Sequence, residues 1–121
     1  MTTKGIRGAI TVEENTAEVI RGAARDLVAE MIKRNNVDPE DIGAAIFSAT
    51  DDITAAFPAS GARQLPGFDM VPLFDTRQMD VGGAMQMCIR ALLLVDSDVK
   101  QRDIQHVFMG KATQLRPDIA K

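Results

Sequence analysis

The sequence predicts an α/β fold, with strands packed around one long helix and several short ones. Three stretches carry that expectation. Gly5–Val12 alternates apolar and polar residues with the period of a strand. Residues 16–34 repeat apolar side chains at helical spacing, and Met85–Val95 is an apolar run in which Arg90 stands out.

In the first strand Ile6, Ile10 and Val12 fall on one face, and Arg7 and Thr11 on the other. Gly5 and Gly8 flank Arg7 and leave room for another backbone or a ligand to come close. Asn15 or Thr16 then caps the helix, with Glu18 in its first turn where the dipole favours negative charge. Ile20, Ala24, Leu27, Val28, Met31 and Ile32 form one apolar stripe, and Asn35-Asn36 is the expected stop.

Asp38-Pro39-Glu40-Asp41 predicts a capped short turn of helix, followed by a second strand over Gly43–Thr50. Asp51-Asp52 reads as a solvated turn, since no further carboxylates stand at metal-ligand spacing. Pro58 starts a short helix that Pro66-Gly67 closes, with Phe57 before it and Arg63 on it. Phe68–Leu73 is expected as a short edge strand, and Phe74–Gly83 as a loop long enough to bind a ligand. Met85–Val95 suits strand or helix by pattern alone. Asp98 caps a turn reaching Asp103, Gln105–Met109 forms a last strand, and Lys111–Asp118 is a polar tail able to fold over a site.

Arg90 is the residue that demands an explanation. A guanidinium keeps its charge at any reachable pH, so burying it unpaired is prohibitively costly. It must meet an internal carboxylate, snorkel to water, or receive an anionic ligand.

The 121 residues fit one domain spanning the whole chain, and 45% hydrophobic with 26% charged residues is ordinary for a globular protein. A net charge of -3 without a basic run argues against nucleic-acid or membrane-surface binding. The single Cys88 excludes an internal disulfide, and with the single His106 it leaves no zinc or Cys-His catalytic pattern. The first residues lack the apolar run of a signal peptide, so a cytoplasmic location is expected.

Six segments together carry a family resemblance: Gly5–Glu13, Phe57-Pro58-Ala59, Met79-Asp80-Val81, Cys88-Ile89-Arg90, Asp103–Val107 and Leu115–Asp118. In order and nearly end to end, they resemble the monofunctional, trimeric AroH-class chorismate mutases. The resemblance implies a mixed sheet, Met85–Val95 as a strand, and a homotrimeric pseudo-α/β-barrel with active sites between subunits. It implies the Claisen rearrangement of chorismate to prephenate in the shikimate pathway to phenylalanine and tyrosine, without a cofactor.

By the same resemblance Arg90 faces the ether oxygen and one substrate carboxylate, and Arg7 binds the other. Phe57, Arg63, Leu73 and Leu115 line the pocket, the loop residues Phe74, Asp75, Thr76, Arg77 and Gln78 border it, and Arg116 acts in the closing tail. Three positions depart from the family's common pattern. Gln78 stands where a glutamate bonds the ring hydroxyl, Asp75 where a cysteine is usual, and Phe108 where a tyrosine helps hold a carboxylate. The expectation is that Asp75 takes over the hydroxyl contact and balances Arg90. A non-catalytic anion-binding protein and an enzyme on the imine-deaminase-like trimer are the other two classes of function considered; the latter lacks the paired strand arginines.

Overall fold

The computed structural model describes residues 2–115. Five strands form one sheet in the order β3-β2-β4-β1-β5, with β1 (Thr2–Thr11), β2 (Ile42–Ala49), β3 (Leu73–Arg77), β4 (Cys88–Ser97) and β5 (Val107–Met109). The central β4 runs antiparallel to both β1 and β2, while β3 and β5 pair in parallel at the two edges. The sheet is mixed, as the resemblance implies.

Helix α1 (Ala17–Arg34) starts at Thr16, whose Oγ1 accepts the Val19 N–H at 3.3 Å. Its stripe of Ile20, Ala24, Leu27, Val28 and Met31 is wholly buried. Asn36 takes the left-handed conformation with φ 51°, which ends the helix as expected. Asn35 then fastens that end to the approach of β5: its side chain donates to the carbonyls of Met31 and Gln105 and accepts the Gln105 N–H. The five-residue α2 (Pro58–Ala62) packs beside α1.

Both helices cover one face of the sheet, where Ile6, Phe47, Ile89, Leu93 and Val95 are buried. Burying each such side chain contributes about 1.5–3 kcal/mol. Gly8 lies on this face, and its missing side chain serves the helix rather than a ligand. A methyl there would sit 2.5 Å from Met31 Sδ and 3.1 Å from Leu27 Cδ1.

The structure differs from the sequence expectation at β3. Phe68–Met70 is a 3₁₀ turn entered through the left-handed Gly67, with Phe68 buried as its anchor. The strand begins after Pro72, so Phe74–Arg77 is strand rather than loop. As an edge strand paired only to β2, it tolerates a polar sequence. Likewise β4 extends through Asp96 and Ser97 because the start of β1 pairs with them.

The Gly8–Met31 contact yields a testable coupling. Gly8→Ala should destabilise the protein by about 1–3 kcal/mol in urea titration. With Met31→Ala the two costs should fall short of their sum, because removing the thioether makes room for the methyl. Strict additivity would mean that the close approach sets no limit at Gly8.

Candidate active site

Cross-strand partners share a face of the sheet and successive residues alternate. The register pairs Ala9 with Arg90 and Arg90 with Ser48, and it pairs Arg7 with Leu92 and Leu92 with Ile46. These residues occupy the face opposite the helices. Arg7 and Arg90 are therefore diagonal neighbours on adjacent strands. They line one cavity of about 310 Å³ together with Ala9, Ile46, Ser48, Leu92, Phe108 and Leu115.

Each wall has a local cause. Phe108 is 3% exposed because it packs with Ala9, Cys88 and Ala112 into a small second core on this face. Leu115, at the end of the described residues, packs against that cluster and closes one side. Burial raises the Cys88 thiol behind this wall, with the nearby Arg90 guanidinium opposing the rise, which suits a packing role rather than a reactive one. Arg90 is half-buried, and its Nε is enclosed without a hydrogen-bond partner among the described residues. Arg7 is more exposed; its N–H donates to His106 Nδ1 at 2.9 Å, which leaves the neutral ring's proton on Nε2.

Two cations on one wall of a pocket with an orphaned guanidinium nitrogen make an anion receptor. The buried donor gains a partner only when an acceptor arrives, and neighbouring positive charges favour one that carries negative charge.

Asp75 is not the local counter-charge of Arg90. It pairs with Phe47 in the β2–β3 register, and Phe47 pairs with Ala91, which puts Asp75 on the helix face. There its carboxylate accepts the Ala59 N–H at 3.0 Å. Burial raises the Asp75 carboxyl above the usual range, while that hydrogen bond and the Arg63 guanidinium pull it back. Asp75 lines a second cavity of about 490 Å³ with Arg21, Phe57, Thr76 and Arg77.

The remaining expected site residues divide between these places. Phe57 is 72% exposed at the second cavity, and Phe74 is 63% exposed on the open face of β3. Arg63 follows α2 and is exposed; Leu73 packs against the core at the start of β3. Arg77 is exposed but tethered: its guanidinium donates to the carbonyls of Thr50 at 2.7 Å and Ile53 at 3.2 Å and pairs with Asp51 at 3.5 Å. Gln78 donates its N–H to Ala49, and its side-chain Oε1 is buried without a partner among the described residues. Arg116 lies outside the described residues.

Sequence reasoning gave no part in a site to Arg21, which is exposed on α1 and lines the second cavity, nor to the contact of His106 with Arg7. Neither carries a signal in spacing or composition. Each depends on which elements meet in three dimensions.

Comparison with known proteins agrees with the geometry. The family model for chorismate mutase type I matches residues 3–119. The chain is 42% identical over 120 residues to chorismate mutase AroH of Bacillus subtilis (strain 168), covering 99% of this chain and 94% of that one. It is 44% identical over 117 residues to chorismate mutase AroH of Thermus thermophilus, covering 96% and 95% respectively. Its fold superposes on a chorismate mutase from Clostridium thermocellum with a TM-score of 0.88 at 38% identity, covering 91% of this chain and 97% of that one. This chain belongs to the AroH class of the chorismate mutase family.

Proposed function

We propose that this chain converts chorismate to prephenate at a site that a second copy of itself completes, within a homotrimer. The observation that carries the reading is the convergence of Arg7 and Arg90 on one cavity of an uncovered sheet face. Chorismate carries two carboxylates, and each arginine supplies a planar fork of donors for one.

The reaction is unimolecular: one C–O bond breaks while one C–C bond forms, and no proton has to move. Catalysis then rests on holding the flexible dianion in its folded conformer and on stabilising charge that develops on the ether oxygen. Arg90 faces that oxygen with an Nε donor that is already desolvated and without a partner among the described residues, so its interaction strengthens as the bond lengthens. Phe108 and Leu115 give the cavity apolar walls that hold the ring and keep water out.

The second cavity supplies what the first lacks. It holds Phe57 and Asp75 on the helix-covered side of the sheet, the face opposite Arg90, so one subunit does not bring them onto its own Arg90. A neighbouring subunit can. The half-exposed Ile46, Leu92 and Leu94 and the exposed Phe74 on the open face favour a covering partner. In that assembly Asp75 reaches the substrate's ring hydroxyl from across the interface. Biosynthetic work in the cytoplasm suits this role; no described helix is long and apolar enough to cross a membrane.

Arg90→Ala should lower kcat by about 10³-fold with a smaller change in KM, as expected when a preorganised donor to the transition state is lost. Arg90→Lys keeps the charge but not the fork and should still lose about 10²-fold. Steady-state chorismate depletion checks both, and near-parental turnover by the lysine variant would contradict the two-point contact.

Asp75→Asn separates catalysis from stability. Losing the charge-assisted contact should cost about tenfold in kcat/KM. The folded-state carboxyl is raised, so its stabilising contribution is complete below the unfolded value and lost as pH rises through the folded one. At neutral pH the carboxylate therefore costs stability. The asparagine variant should melt higher than the parent at pH 7, and the gain should vanish in acid. Unchanged kcat/KM would remove Asp75 from the site.

A further inference from the structure

Three residues before Arg90 the backbone takes a disfavoured turn. Met87 has φ 52°, a left-handed conformation in which a side chain crowds its own carbonyl. Such a conformation persists only where its surroundings hold it. Pairing of β4 with β1 begins at Cys88 and with β2 at Ile89, so Met87 lies outside both ladders.

Side chains from the end of β2 supply the hold. The Met87 N–H donates to both carboxylate oxygens of Asp52, at 3.1 and 3.0 Å. The Cys88 N–H donates to Thr50 Oγ1 at 3.0 Å, and the Cys88 carbonyl accepts the Thr50 N–H at 3.1 Å. The Thr50 hydroxyl donates in turn to Asp52, which joins the two contacts into one clamp. Val12 donates to the Met87 carbonyl at 2.9 Å from the other side. Thr50 is 5% exposed, a buried polar side chain amid an apolar core. Asp51-Asp52 is thus no plain solvated turn: Asp51 faces Arg77, and Asp52 faces inward onto Met87.

We infer that Thr50 and Asp52 are positioning residues for Arg90. By fixing the left-handed turn at Met87 they set the direction in which β4 starts, and so where the Arg90 guanidinium enters the cavity. The inference deepens the proposed function and rests on Arg90 as the catalytic cation.

The test measures kcat, KM and melting temperature for Asp52→Ala, Thr50→Val, and Asp52→Ala combined with Met87→Gly, with Arg90→Ala as control. Circular dichroism and sedimentation confirm folded, assembled protein. Asp52→Ala and Thr50→Val should each lose about tenfold or more in kcat while KM moves less than about threefold. Met87→Gly should restore most of the loss in the Asp52→Ala background, because glycine adopts the left-handed turn without a clamp. A merely structural clamp would lower the melting temperature and leave the kcat of the folded protein alone. Parental kcat in both single variants, or no recovery with Met87→Gly, overturns the inference. If Asp52→Ala does not fold, Asp52→Asn takes its place with a smaller loss and the same recovery expected. Parental activity in Arg90→Ala would overturn the role of Arg90 and the inference with it. An inactive Arg90→Ala beside fully active Asp52 and Thr50 variants would overturn the inference alone.

Discussion

Two guanidinium groups that cannot lose their charge share one pocket wall, and the site follows from how the fold accommodates them. Arg7 stays exposed enough to be solvated. Arg90 is half-buried, with one nitrogen enclosed and without a partner among the described residues. An uncompensated donor in an apolar cavity is costly to the folded chain. Under the proposed mechanism the same cost makes it effective toward an anion, because among the described residues no carboxylate has to be displaced when charge grows on the substrate. The fold tolerates the arrangement because the rest of the sheet is conventionally apolar, with α1 and α2 burying the opposite face.

The division of the sheet into two faces is what supports the proposal that a second copy completes the site. One face is saturated by helices; the other carries the arginines, a small cluster around Phe108, and an apolar field of Ile46, Phe74, Leu92 and Leu94. Asp75 and Phe57 belong to the edge strand and the start of α2, remote in the sheet order from β5. A symmetric oligomer brings such remote patches together without any new fold, since the edge of one subunit meets the open face of the next.

How much of this was legible depended on the kind of signal. β1 and α1 were readable from period alone, and Asn36 stopped the helix for the reason its side chain suggests. β4 was not, because Leu, Met and Ala fit either element, and the family resemblance decided it. β3 was misread because a strand paired on one edge need not be apolar, so Asp75, Thr76 and Arg77 looked like a loop. The pairing of Asp75 with Arg90 rested on a compensating exchange within one loop, a carboxylate at position 75 in place of one at 78; strand register instead places Asp75 and Arg90 on opposite faces. Asp52 looked like half of a solvated turn, and only the meeting of β2 with the start of β4 gives it Met87 to hold. Periodicity reports a residue's own face. It does not report what another strand brings to that face.

The claim on which the rest turns is that each site is built from two subunits. Arg90→Ala disables the half bearing the arginines, and Phe57→Asp, at an exposed position, puts a repelling carboxylate into the other half. Each variant alone should be nearly inactive. Refolded together from denaturant in equal amounts, they should recover about one quarter of parental activity, because that share of interfaces pairs two unaltered halves. A mixture as inactive as its components would place both halves of the site in a single subunit and contradict this architecture.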